Sequence, residues 1–197
     1  MEHHDHIKDI RGLDQIDKWD ESAYSKAYLS CYGTLFNYGL KLTDDTFMIE
    51  DAIQSLFIEL WKNRQKVQVI HSLRSYLLRS LRNYIIKEKK RNTRWFSRDE
   101  LTEFAIDVRI IDQETRSELH SHLNEALAHL TDRQREAVFL RFYQMMSYEE
   151  VASIMNISTK ATYKLLARSL EKLRENMQLP TTRSAVIVRP SMDNVLY

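Results

Sequence analysis

A basic cluster in the first half of the chain is the clearest sign of chemistry in the sequence. Between residues 62 and 98 the chain carries twelve lysines and arginines but only one acidic residue, Glu88. A block of this charge repels itself unless a polyanion neutralises it, and nucleic acid is a polyanion that such blocks bind. A solvated basic helix without a ligand is the alternative. The cluster therefore favours a nucleic-acid contact.

Acidic side chains dominate the segments on either side of this cluster. Residues 1–61 hold 12 acidic and 5 basic side chains, and residues 99–125 hold 8 acidic and 2 basic ones. The net charge of the whole chain is consequently only +1. Separate blocks of opposite charge indicate that one part of the protein meets a polyanion while another part meets a different partner.

A second feature that could bind nucleic acid is a pair of short helices within residues 147–177. Ser147 and Glu150 have the spacing of a capping box for the first helix, and Ser158 can cap the second. Between the helices, Asn156 stands where a left-handed residue, most often glycine, is needed. The pattern predicts a helix-turn-helix motif, whose second helix enters the major groove by its start. Short helix pairs in ordinary bundles share this pattern, which leaves both interpretations open.

The second helix of this pair would carry the side chains that face DNA. Its first half is polar and basic, as expected of a helix that contacts base edges and phosphates. We predict base contacts from Lys160, Thr162, Tyr163 and Lys164, and a phosphate contact from Arg168.

Signatures of catalysis and metal binding are missing from the sequence. It has no glycine-rich phosphate loop, no metal-ligand spacing and no nucleophile paired with a base. His120, His122 and His129 follow helical spacing in a charged segment and are expected at the surface. The chain has one cysteine and no apolar run near the roughly 18 residues of a membrane span. We therefore expect a cytoplasmic protein that is not an enzyme, with no catalytic residue, metal, cofactor or membrane insertion.

Composition and hydrophobic spacing predict an all-α fold with two small helical domains. Only 3 glycines and 2 prolines are present, too few for the turns of a β-rich protein. Apolar residues at three- and four-residue steps predict helices over 19–42, 46–63 and 73–91, and again from 117 onward. We divide the chain into a flexible N-terminus (1–18), a first domain (19–96), a flexible linker (97–117), a helix-turn-helix domain (118–179) and a tail (180–197).

The predicted third helix has an apolar side and a basic side. Its buried positions are expected to be Leu73, Tyr76, Leu77, Leu81 and Tyr84. Basic and amide side chains occupy its other faces, an arrangement that proteins commonly use to hold nucleic acid. Tyr76, Tyr84 and Trp95 could instead stack on unpaired bases, but core packing is the favoured interpretation for the first two.

In their order along the chain, these motifs resemble the sigma-70 family, specifically its small extracytoplasmic-function (ECF) group. Residues 42–61 are similar to the family's region 2, in which an acidic pair precedes Gln, Phe and Trp at fixed steps. Residues 75–83 are similar to the next helix, which ends in Arg-Asn before a basic stretch. Residues 130–141, 147–152 and 163–174 are similar to region 4. The chain departs from the family at Asn156, usually glycine, and at Ala161 and Thr162, often a Thr-Val pair.

The resemblance implies a sigma factor that binds core RNA polymerase and directs it to promoter DNA. The second helix would dock on the polymerase through Glu50, Asp51, Gln54, Ile58 and Trp61. From its spacing alone, Trp61 could equally complete the core. Many members of the family are held inactive by an anti-sigma protein, so the resemblance also suggests such a partner.

The resemblance further divides promoter recognition between the two domains. The connector 64–71 and the third helix would melt and recognise the −10 element, through Arg79, Arg82, Asn83 and Lys87. The helix that starts at Thr159 would recognise the −35 element.

Two other functions compete with a sigma factor. A helix-turn-helix transcriptional regulator would bind an operator, typically as a symmetric dimer, without joining the polymerase. The basic cluster counts against it, because a dimerisation domain has no need of that charge. An adaptor that binds only proteins would show no salt-dependent affinity for DNA, whereas phosphate contacts make binding fall steeply with salt.

Overall fold

Seven α-helices follow one another in the residues that the structure, a computed structural model, describes: 18–65, 72–92, 104 and 115–177. A π-helical segment, Phe139–Tyr143, continues the fifth helix. No strand occurs in these residues, which confirms the predicted all-α fold. Trp95, most of the predicted connector, the N-terminal segment, the tail and the side chain of His120 lie outside the described residues. The helices are α1 (Glu21–Leu42), α2 (Thr46–Asn63), α3 (Leu73–Asn92), α4 (Thr115–Ala128), α5 (Asp132–Val138), α6 (Tyr148–Met155) and α7 (Thr159–Asn176).

Short polar side chains begin these helices, among them the predicted caps Ser147 and Ser158. The Asp45 carboxylate accepts a hydrogen bond from a backbone N–H of the first turn of α2 at 2.9 Å. The Ser158 hydroxyl does the same for α7 at 3.2 Å. Each bond satisfies a backbone donor that the helix itself leaves unpaired. The predicted capping box of Ser147 with Glu150 is present, and Thr131 forms a second one with Gln134.

The helices α1, α2 and α3 pack on one another and form what we call the first module. Its interior is filled by apolar side chains from all three helices, among them Leu35, Ile53, Phe57, Leu77 and Leu81. Gly39 allows α1 to approach α2 closely, because a Cβ added there would lie only 2.6 Å from Cγ2 of Ile49.

One predicted core position of α3 is wrong. Tyr76 is exposed, whereas Leu78 and Ile85, which were not assigned to the core, are fully buried. The reason is that α3 packs against α6 as well as against α1 and α2, so its buried surface is wider than one apolar stripe. Tyr84 is half-buried, and its hydroxyl donates to the Asp51 carboxylate at 3.0 Å.

The helices α4 to α7 form the second module, which contains the predicted helix-turn-helix. The turn between α6 and α7 is made by Asn156, whose φ of 54° and ψ of 51° are left-handed. Its N–H donates to the carbonyls of Ala152 and Ser153, closing the end of α6. Asn tolerates this backbone conformation better than most residues other than glycine. The predicted turn geometry is confirmed.

The two modules share one continuous apolar core. Phe104, which belongs to the predicted linker, is buried between them. Its ring centroid lies 6.1 Å from that of Tyr38 in α1 and 5.5 Å from that of Phe139 after α5. Its backbone N–H donates to the Asp132 carboxylate at 2.9 Å. In the same arrangement, the basic helix α3 packs against α6 of the second module.

Candidate polymerase and nucleic-acid interfaces

The outward face of α2 carries the residues predicted to bind polymerase. Glu50, Asp51, Gln54 and Ile58 are exposed there, and Trp61 is half-buried. The Trp61 ring packs edge-on against Tyr24, with centroids 5.1 Å apart, and the Arg64 guanidinium lies 3.9 Å from its centroid. One side of the Trp61 ring therefore packs against the core, and the other side is part of the surface.

Phe47 extends this face by one turn, and sequence reasoning missed it. It is 82% exposed, the most open of the large apolar side chains in the described residues. Phe47, Glu50, Gln54 and Ile58 follow one another at three- and four-residue steps, so the helical period places them on one side of α2. The same period could have identified Phe47. At the other end of this face, a cavity of about 270 Å³ is lined by Glu21, Tyr24, Ile58, Trp61 and Lys62.

The basic residues of α3 fall into two groups. Arg79, Asn83 and Lys87 are exposed, as predicted for residues that contact DNA. Arg82 has only 12% of its side chain exposed, because it forms an ion pair with Glu136 of the second module. Its Nε and Nη2 donate to the two carboxylate oxygens of Glu136 at 2.6 and 3.1 Å. In this arrangement the Arg82 guanidinium is held by Glu136 and is not available for a contact with DNA.

Tyr38 completes the environment of Glu136. Its hydroxyl donates to Glu136 Oε1 at 2.6 Å. Burial, reinforced by the negative charge of Glu136, raises the pKa of Tyr38 well above its ordinary value, so the phenol keeps its proton. Burial acts to lower the pKa of Arg82, but the hydrogen bond and charge of Glu136 outweigh it and raise that pKa.

Two more arginines of α3 donate hydrogen bonds to the second module. The Arg74 guanidinium donates to the Gln144 side chain, and Arg79 Nη1 donates to Ser153 Oγ at 3.4 Å. These cross-module partners lie far apart in the sequence, so no local signal could have indicated them.

The start of α7 presents four of the five predicted DNA-contacting side chains to solvent: Lys160, Tyr163, Lys164 and Arg168. Thr162 is fully buried, and its hydroxyl donates to the Ser158 carbonyl at 3.2 Å. The prediction that Thr162 contacts base edges is therefore wrong. The helical period explains the difference, since Thr162 shares its side of α7 with the buried Leu166 and Ser169.

Tyr148, at the start of α6, packs against the exposed Tyr163. Their rings are stacked, with centroids 4.0 Å apart and planes inclined by 14°. The Arg141 guanidinium also lies over the Tyr148 ring, 5.0 Å from the ring centroid. Sequence reasoning missed Tyr148, whose only signal is an aromatic residue directly after the helix cap.

Neither a metal site nor a membrane span is found in the described ranges. No three His, Cys, Asp or Glu side chains there lie close enough to hold a metal ion. Among the same residues, no helix is long and apolar enough to cross a membrane.

Two family models match the two modules. The model of sigma-70 region 2 matches residues 27–95, and that of sigma-70 region 4 matches residues 122–173. RNA polymerase sigma factor YlaC of Bacillus subtilis (strain 168) is 24% identical over 184 residues, which cover 90% of this chain and 95% of that protein. The ECF RNA polymerase sigma factor SigM of the same organism is 26% identical over 145 residues, or 71% and 86% of the two chains.

Solved structures of similar fold include two complexes. RpoE of Bartonella quintana, in complex with the anti-sigma factor NepR, superposes with a TM-score of 0.57 at 19% identity, covering 79% of this chain and 97% of that one. CnrH, in complex with the cytosolic domain of CnrY, gives 0.53 at 17% identity, covering 86% and 97%. An operator-binding regulator would account for a helix-turn-helix but not for a region 2 match in front of it. The chain belongs to the sigma-70 family as an RNA polymerase sigma factor of the ECF group, which binds core polymerase and directs initiation at specific promoters.

Proposed function

We propose that this sigma factor recognises the −35 element with the start of α7. The observation that supports this most directly is the exposed row of Lys160, Tyr163, Lys164 and Arg168 on a helix that follows a left-handed turn. A major-groove helix needs donors and an aromatic edge on one side, and this row supplies them.

The −10 element is assigned to the basic face of α3. Arg79, Asn83 and Lys87 are exposed there, and Arg82 joins them once its ion pair with Glu136 is broken. The exposed ring of Tyr76 lies on the same helix and could stack on an unpaired base. We assign these tasks to the domains 19–96 and 118–179, joined by the linker 97–117.

Core polymerase is proposed to dock on the outward face of α2. That face combines acidic residues with exposed apolar ones, Phe47 and Ile58, beside the half-buried Trp61. Exposed aromatic and aliphatic side chains amid polar ones are typical of protein contact surfaces.

The protein is proposed to act in the cytoplasm, where polymerase and promoters are found, and to be controlled by an anti-sigma factor. The support for this partner is that RpoE, a sigma factor of similar fold, was solved in complex with an anti-sigma factor. Isolation of the chain from its own cells tests the idea: a co-purifying protein should suppress its transcription, and isolation of the chain with polymerase alone would contradict it.

Run-off transcription tests the sigma function directly. The reaction combines purified core RNA polymerase, the full chain and a fragment library from its own genome. We expect specific start sites that appear only when the chain is added, and their upstream sequences identify the −10 and −35 elements. Absence of both transcripts and a complex with core polymerase would contradict the proposal.

A further inference from the structure

A cavity lies at the end of the proposed polymerase-binding face, between the start of α1 and the end of α2. It measures about 270 Å³ and is lined by Glu21, Tyr24, Ile58, Trp61 and Lys62. Building on the proposed docking of polymerase on α2, we propose that this cavity receives a single uncharged, apolar side chain of core RNA polymerase. The start of α1 then belongs to the polymerase interface.

The size of the cavity fits one side chain. Pockets that bind a whole small-molecule ligand usually measure about 300–1,000 Å³, and this cavity is smaller. Ile58, which forms part of its wall, is 50% exposed, so the cavity opens onto the surface. Protein interfaces concentrate their binding energy in such places, where an aromatic or aliphatic side chain of one partner enters a pocket of the other.

Aromatic contacts hold the walls of the cavity in place before a partner binds. The Tyr24 ring packs edge-on against Trp61 and Phe57, with centroids 5.1 and 6.0 Å away. Phe57 is fully buried, which connects this wall to the core of the first module. A site that is already ordered loses little conformational freedom when it binds.

Arg64 fixes the Trp61 ring and makes a cationic occupant unfavourable. Its guanidinium carbon lies 3.9 Å from the Trp61 ring centroid, and its Nη1 donates to the Trp61 carbonyl at 2.8 Å. The ring therefore already has a cation–π partner, and a second positive charge beside it would be repelled.

The charged side chains that line the cavity favour no ionic occupant of either sign. Glu21 comes from α1 and Lys62 from α2, so one negative and one positive charge line the same space. The other lining side chains are the two aromatic ones and Ile58. An apolar side chain buries its surface against them without losing the hydration of a charge.

The position of the cavity identifies core polymerase as its occupant. Ile58 and Trp61 are three residues apart, so they lie on one side of α2, the side that also carries Gln54. A partner that lies along this side of α2 therefore covers the mouth of the cavity.

The test changes the size of one group at the cavity and leaves its charge constant. Glu21 is exposed, and the single natural cysteine, Cys31, is buried, so Glu21→Cys introduces the only accessible thiol in the described residues. This thiol is modified in the full chain with methyl or with benzyl methanethiosulfonate, which both add an uncharged group. Asn37→Cys, at another exposed position on α1, receives the same two reagents as the matched control.

Affinity for core RNA polymerase is then measured by competition. The methyl adduct at position 21 should bind within about twofold of the wild type, because a single exposed carboxylate contributes little. The benzyl adduct fills the cavity and should bind at least about tenfold more weakly, since the partner loses its anchoring pocket. Both adducts at position 37 should bind like the wild type.

Equal affinities of the two adducts at position 21 would overturn the proposal, as would the same benzyl effect at position 37. Phe47→Ser, at the opposite end of the α2 face, separates the two possible failures. Weaker binding of Phe47→Ser without a benzyl effect at position 21 refutes this inference alone. If neither change affects binding, the proposed docking of polymerase on α2 is refuted as well.

Discussion

Tyr163 lies flat on Tyr148, with ring centroids 4.0 Å apart. The pair connects the two helices of the helix-turn-helix, because Tyr148 begins α6 and Tyr163 belongs to the first turns of α7. Tyr163 is still 43% exposed, so one face of its ring is held while its edge stays available to DNA. An aromatic ring fixed in this way loses little conformational freedom when it binds.

Tyr163→Ala and Lys164→Ala are expected to change which −35 sequences are used more than they change affinity for polymerase. Tyr148→Leu should reproduce part of the Tyr163→Ala effect, since an aromatic pair is worth roughly 0.5–1.5 kcal/mol, or about two- to tenfold in −35 affinity. Transcription from a library of randomised −35 elements measures the preference. Leu170→Ala, an exposed position farther along α7, is the control. An unaltered preference in Tyr163→Ala would show that α7 is placed in the groove in a different register.

Asn83→Ala is expected to weaken promoter opening while leaving polymerase binding intact. Asn83 is exposed on α3 beside Arg79, so its removal costs no internal contact that would complicate the result. Permanganate footprinting of unpaired thymines measures opening, and a native gel measures the complex with polymerase. Normal opening in this variant would remove Asn83 from the −10 interface.

Arg82→Ala is expected to have two opposing effects. It removes a proposed DNA contact, but it also leaves Glu136 buried without its cation, which costs about 3–5 kcal/mol while the two modules are packed together. We therefore expect weaker promoter opening together with an expanded free chain, measured by footprinting and by X-ray scattering. Weaker opening with a chain as compact as the wild type would mean that Arg82 acts on DNA alone.

Phe47→Ser and Ile58→Ser are expected to weaken binding to core polymerase, each by roughly 1 kcal/mol or more if it contacts the partner. Both side chains are exposed, so thermal stability should change little. Leu29→Ser, at another exposed apolar position, on α1, is the control. Competition for labelled core polymerase measures the affinity. Equal losses in all three variants would point to a general solubility effect and away from an α2 docking face.

Local features of this structure were predictable from the sequence, and contacts between distant segments were not. Helix starts depend on residues three positions apart, so Ser147 and Ser158 were found correctly as caps. Tyr76 was wrongly assigned to the core and Thr162 to the surface. A stripe of apolar or polar residues along a helix does not show which other helices will pack against it. The pairing of Arg82 with Glu136 joins residues 54 positions apart, and Tyr38 lies 98 positions from the same carboxylate.

The two interior glycines of α1 provide an internal comparison of packing and backbone effects. At Gly39 an added Cβ would lie 2.6 Å from Ile49, whereas at Gly33 nothing lies within 4 Å. Gly39→Ala should therefore destabilise the fold by roughly 1–3 kcal/mol through overpacking, and Gly33→Ala should stabilise it by about 0.5–1 kcal/mol because alanine is the better helix former. Urea denaturation of both variants measures the difference. If Gly39→Ala proved as stable as Gly33→Ala, the close approach of α1 to α2 would not require a glycine.

Met145 and Asn156 both adopt left-handed backbones, with φ near 55° and 54°, but their side chains tolerate it differently. Asn can hydrogen-bond locally in this conformation, whereas Met has no such compensation. Met145→Gly should therefore raise the free energy of unfolding by about 1 kcal/mol, and Asn156→Gly should raise it by clearly less. Urea denaturation measures both, and DNA binding checks that the helix-turn-helix survives in the Asn156 variant. A larger gain at Asn156 than at Met145 would mean that the turn before α7 carries the greater strain, and the geometry proposed for −35 recognition would need revision.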